Sequence, residues 1–131
     1  NHLIIKDNII NAKLMSRILK KYNNIKELDL VNIDSFWSSF INITRHKNLV
    51  KLNLASSRGI INYIIFLISI NCPNIQILIL KNQTAINNSI LELILSKFNS
   101  LKLLDIRGCI KIEEIDLINF KNTYKNIKIL Y

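Results

Sequence analysis

Apolar residues recur along the chain in one figure: an apolar position, two variable ones, a second apolar, one variable, a third apolar. It reads Ile25, Leu28, Leu30; Leu49, Leu52, Leu54; Ile75, Leu78, Leu80; Leu101, Leu104, Ile106; and finally Ile127 and Leu130. The first positions lie 24, 26, 26 and 26 residues apart, and Leu3 and Ile5 stand 25 residues ahead of Leu28 and Leu30. A near-constant period of this length predicts a stack of like units, each burying its apolar stripe only against its neighbours. The alternating apolar positions predict a short strand in each unit.

Between the strands, apolar residues four apart predict helices. Ile10, Leu14, Ile18 and Tyr22 mark a helix over 9–21 with Asp7 or Asn8 as its cap. Phe36, Phe40 and Ile43 mark a short one after Asp34, with Trp37 packed on the outer side. The third helix, over 60–70, is apolar on nearly every side, which predicts a second contact with another domain or a second copy. Ile90, Ile94 and Phe98 mark a helix over 89–97 capped by Asn88. Glu113 and Glu114 suit the positive start of a helix over 113–121.

One strand and one helix per unit make the chain α/β: a solenoid of about five and a half units of 24–26 residues, spanning 1–131 as one domain. A parallel sheet lines its concave face and helices its convex face. Neither end carries a polar capping unit, so the chain is expected to be a piece of a longer protein, with exposed strand edges at both ends. Further columns support the register. Tyr22, His46, Cys72, Phe98 and Tyr124 stand three before each first position, and Asn24, Asn48, Asn74, Ser100 and Asn126 one before it.

Cys72-Pro73-Asn74-Ile75 and Leu104-Asp105-Ile106-Arg107-Gly108-Cys109 resemble the cysteine-containing subclass of leucine-rich repeats, whose units read C-P-x-L, then L-x-L, then a cysteine. Cys109-Ile110-Lys111-Ile112-Glu113-Glu114 resembles that subclass's turn into its helix. The resemblance covers essentially the whole chain, although Ile33, Ser57 and Gln83 replace the second cysteine in the other units. It implies a protein-binding scaffold. Members of this subclass serve as the substrate-recognition part of F-box ubiquitin ligases, and similar arrays serve as effectors acting on host proteins.

Positions between the apolar ones point to the concave face by the two-residue strand period. There Ile77, Ile79, Leu103, Ile129 and Tyr131 form an apolar patch rimmed by Lys81, Lys102, Asp105, Arg107 and Lys128. An apolar centre with a charged rim is how protein interfaces are built, while the same side chains could also pack across adjacent strands. These ten residues are the candidate partner-binding site.

The net charge of +9 turns attention to polyanions, through Lys26, Lys51, Lys81, Lys102, Arg107 and Lys128. Glu27, Asp29 and Asp105 interrupt that set, and only Tyr131 offers a stacking platform, which makes nucleic acid the second reading. Lysine outnumbers arginine 14 to 4, and asparagine and isoleucine are abundant too, a bias that an A+T-rich genome produces by itself.

Cys72 and Cys109 lie at opposite ends of the repeated figure, poor geometry for a disulfide. With only His2 and His46 beside them there is no metal-ligand spacing. No cofactor is expected, and no enzyme: two glycines build no phosphate loop, His46 occupies a structural column, and Cys109 lacks a nearby base. No apolar run reaches a membrane span, and the reduced cysteines favour an intracellular setting, cytoplasmic or nuclear, or a host cell for an effector.

Overall fold

A computed structural model describes residues 1–7, 11–34 and 46–131. Six strands form one all-parallel sheet in sequence order: β1 (His2–Lys6), β2 (Glu27–Val31), β3 (Lys51–Asn53), β4 (Ile77–Ile79), β5 (Leu103–Asp105) and β6 (Lys128–Leu130). The described helices are α1 (Ala12–Lys21), α2 (Asn62–Asn71), α3 (Asn88–Lys97) and α4 (Glu114–Thr123). Parallel neighbours joined by same-handed crossovers place every described helix on one face of the sheet and leave the other face bare of described helices. No described helix is long and apolar enough to cross a membrane.

Paired core positions run Leu3, Leu28, Leu52, Leu78, Leu104 and Ile129, so successive units are 25, 24, 26, 26 and 25 residues long. The last step corrects the register expected for β6. Ile127 and Leu130 match the figure's spacing, but the final connection is one residue shorter. Ile129 therefore takes the core position, and Lys128 and Leu130 take the two outward ones.

Each helix hands the chain to a strand in one way. The N–H of Tyr22, Cys72, Phe98 and Tyr124 closes the helix on the carbonyl four residues back. The carbonyls of Tyr22, His46, Cys72, Phe98 and Tyr124 then accept from the N–H three residues on, at the first position of the next figure. That column is a helix stop. The asparagine column beside it runs from unit to unit: Asn48 donates to the Asn24 side chain at 3.2 Å, and Asn74 to the Lys47 carbonyl at 2.7 Å.

The stripe at Leu14, Ile18 and Tyr22 corresponds to Ile64, Ile68 and Cys72 in α2 and to Ile90, Ile94 and Phe98 in α3, counted from the caps Asn11, Ile61 and Asn87. In α2 and α3 these residues are buried. In α1, Leu14 is 47 % exposed and Tyr22 43 %, and the core side is instead Met15 and Leu19. The stripe faces the preceding unit, as the hydrogen bond from Asn88 of α3 to Asp116 of α4 shows, and α1 belongs to the first unit of the sheet. Caps also shift: α1 starts on Asn11, whose side chain accepts from the Leu14 N–H at 2.9 Å, and α3 on Asn87 rather than Asn88. The expected helix at Phe36, Phe40 and Ile43, with Trp37, and the start of the 9–21 helix lie outside the described residues.

Candidate protein-binding face

Two rows of side chains cross the bare face of the sheet. Strand register sets one as His2, Glu27, Lys51, Ile77, Leu103 and Lys128, and the other as Ile4, Asp29, Asn53, Ile79, Asp105 and Leu130. Adjacent members stand one inter-strand spacing apart, about 4.8 Å. The face divides into a charged half and an apolar half.

On β1–β3 the polar side chains engage one another. His2 Nε2 lies 3.0 Å from Asp29 Oδ2, and its Nδ1 lies 3.9 Å from Glu27. Lys51 Nζ is 3.3 Å from Glu27 Oε2 and 3.9 Å from Asp29 Oδ1. Lys51, one of the six cations of the polyanion reading, is thus held by two carboxylates of the same face.

On β4–β6, Ile77 pairs laterally with Leu103, and Ile79 and Leu130 flank Asp105. Ile77, Ile79, Leu103 and Leu130 are all half-buried, each with part of its side chain open to solvent. Sequence reasoning placed Ile129 and Tyr131 in this patch, and both leave it. Ile129 is 5 % exposed and packs in the core. Tyr131 sits beyond β6, where its ring lies 4.2 Å from Lys121 Nζ and lines a hollow of about 250 Å³ with Ile106, Cys109, Ile110 and Leu117. Leu130, missed in the sequence, takes their place. The alternation Ile127, Lys128, Ile129 carried the signal, since a strand puts Lys128 opposite both isoleucines.

The rim also changes. Asp105 is 4 % exposed, and its Oδ1 accepts from the Arg107 N–H at 3.2 Å, a local turn that ends β5 as Asn53 ends β3. The Arg107 guanidinium grips the same carboxylate through Nε at 2.9 Å and Nη2 at 2.7 Å. Those hydrogen bonds hold the Asp105 carboxyl below its ordinary range and raise the Arg107 pKa. Lys128 stands on the face beside Leu103, and Lys81 lies near enough to Asp105 to favour its charged form. Lys102 and Lys26 precede their strands and are exposed at the border of the sheet.

The groups considered for chemistry are interior. His46 is 2 % exposed, and burial lowers its pKa, against a smaller opposing effect of the Asn23 backbone. Cys72 is buried and free, its thiol pushed up to about 12 by burial. The Cys109 Sγ donates to the Leu80 carbonyl at 3.2 Å, and burial raises its pKa. Gln83 and Ser57, one and two units earlier, donate likewise to the carbonyls of Leu54 and Leu30. This column satisfies a carbonyl that the turning chain points inward.

Tyr63, Phe66 and Ile70 are exposed along the outer side of α2, so the apolar helix does present a bare apolar strip among its described neighbours. Neither the protein-family models nor the curated proteins compared with the sequence contain a match.

Proposed function

We propose that the chain is a leucine-rich repeat protein of the cysteine-containing kind, and that the bare face of its sheet binds a partner protein. The observation that carries this reading is the half-buried patch of Ile77, Ile79, Leu103 and Leu130, bordered by Lys81, Arg107 and Lys128. Apolar side chains on a sheet face that no described helix covers gain free energy by meeting another surface, at roughly 25 cal/mol per Å² removed from water. His46, Cys72 and Cys109 belong to the core and are not presented on that face. The resemblance extends the proposal to substrate recognition for a ubiquitin ligase or to a host-directed effector, acting within a cell.

Affinity capture from nuclease-treated lysate tests it, with the wild-type chain beside an Ile79→Glu, Leu103→Glu variant whose circular dichroism is unchanged. A protein held by the first and released by the second is the expected result, and ligase components among the captured proteins would favour the adaptor role. Identical captures with both forms would sink the proposal.

A further inference from the structure

We infer that the segment bound on this face is acidic and amphipathic, an extended or helical stretch of protein that sets apolar side chains between Asp or Glu residues. The inference rests on the protein-binding reading above and adds the chemistry of the partner.

Three observations carry it. First, the carboxylates of the charged half are already engaged from within: Lys51 lies 3.3 Å from Glu27 and 3.9 Å from Asp29, and the His2 imidazole is hydrogen-bonded to Asp29 at 3.0 Å. A ligand gains little there, since each new ion pair displaces one already made. Second, the apolar half is bordered by the cations Lys81 and Lys128, while the Arg107 guanidinium and the buried Asp105 carboxylate beside them are already paired with each other. That half therefore shows a ligand cations and hydrocarbon. Third, the spacing is short. Lys128 is one strand from Leu103, and Ile77 lies one strand beyond, so an apolar anchor over Ile77 and Leu103 brings its neighbours within about 5 to 10 Å of a cation.

The same cations do not build a nucleic-acid site. Base stacking needs aromatic faces, and none of the twelve side chains in the two rows is aromatic except the imidazole of His2, which is engaged with Asp29. Tyr131 stands off the face against Lys121.

A display library of random 16-residue peptides, selected on the immobilised wild-type chain and counter-selected on Leu103→Glu, tests the inference. The expected survivors combine apolar residues with Asp or Glu. Replacing their acidic residues by Gln or Asn should weaken binding to the unaltered protein. Lys81→Gln and Lys128→Gln should each weaken it about two- to five-fold, as rim ion pairs do, with a further loss as salt rises. Because the peptide substitutions leave the protein untouched, they decide the matter even if a protein variant misfolds. Survivors with no acidic excess, or indifferent to both lysines, would overturn the acidic-partner inference and leave the protein-binding reading standing. Identical selection on wild type and Leu103→Glu, or none, would bring down both. Displacement of the peptides by a polyuridylate 20-mer at 150 mM salt, with a steep salt slope, would reassign the face to nucleic acid.

Discussion

His46 fills a column that other units fill with Tyr22, Cys72, Phe98 and Tyr124, and it is the one imidazole there. Buried and 2 % exposed, it binds a proton less readily in the folded chain than in the unfolded one, where the value is about 6.5. The unfolded state thus takes up protons first as pH falls, and stability declines from about pH 6.5 downward. Asp105 acts in a lower window. Arg107 depresses its carboxyl in the folded state, so its contribution is complete at neutral pH and is lost only below about pH 4, as the pH falls through the depressed value. Urea unfolding of His46→Phe across pH 3 to 8 should erase the upper decline and keep the lower. A curve unchanged between pH 5 and 7 would remove His46 from the account.

Another residue-level rule was present in the sequence and went unread. Asp7, Asn32, Ser56, Asn82 and Gly108 occupy one column, and all five have positive φ, from 53° to 78°. Asp, Asn, Ser and Gly are the residues that tolerate or mimic such turns. The column also bonds along the stack: Asn32 donates to Asp7 at 2.8 Å and Asn82 to Ser56 at 3.4 Å. A Cβ on Gly108 would come within 2.2 Å of the Asn82 Oδ1, in a conformation L residues resist. Gly108→Ala should cost about 1 to 2 kcal/mol from the backbone alone, with more from the clash. Chemical denaturation should show Asn82→Ser recovering the second part and not the first. If Gly108→Ala is neutral, the left-handed turn is not what fixes glycine there.

At the scale of elements, the strands were legible because their alternation repeats six times, and the helices less so because two kinds of apolar stripe run along each. One stripe meets the sheet and the other meets the preceding helix. In α3 both are buried, with Leu91 and Leu95 on one and Ile90 and Ile94 on the other. In α1 only Met15 and Leu19 are, so periodicity selected the stripe with no neighbour. The expected patch missed one strand for a related reason. Ile127 and Leu130 reproduce the figure's spacing, yet spacing does not report the length of the connection before it, and a one-residue slip exchanges the faces of β6.

Caps give the element-level prediction. Asn11 and Asn87 each accept from an N–H three residues on, while Ile61, extended at the start of α2, makes no such bond and exposes its side chain. Ile61→Asp should therefore stabilise the chain by about 0.5 to 1 kcal/mol, and Asn87→Ala should destabilise it by about 1 kcal/mol. Thermal melts of the two variants would check both signs. An Ile61→Asp variant less stable than wild type would show that Ile61 is covered by another part of the molecule.

At the scale of the whole molecule, each described strand pairs only with its neighbours in the row, and the order of the sheet is the order of the chain. A stack of this kind has no single centre; its stability is a sum of units and of the contacts between adjacent units. Leu78 on β4 is fully buried with a unit on either side, while Leu3 on β1, the same position in the figure, is half-buried with a unit on one side only. Leu78→Ala should cost about 3 kcal/mol, and Leu3→Ala about 1 kcal/mol, because less surface leaves water there on folding. Opening should start where contacts are fewest, so amide hydrogens of β2 that bond to β1 should exchange well before those of β5 that bond to β4. The bare face follows the same division. Its apolar residues Ile77, Ile79 and Leu103 lie on strands with a neighbour on either side, whereas Leu130 lies on the edge strand β6, so the first three are expected to be held more firmly than the last. Hydrogen exchange by mass spectrometry, resolved to peptides covering Lys26–Leu30 and Lys102–Ile106, would measure this gradient. Equal protection of the two would mean that the stack opens all at once, and the patch would then be no better ordered than the edge.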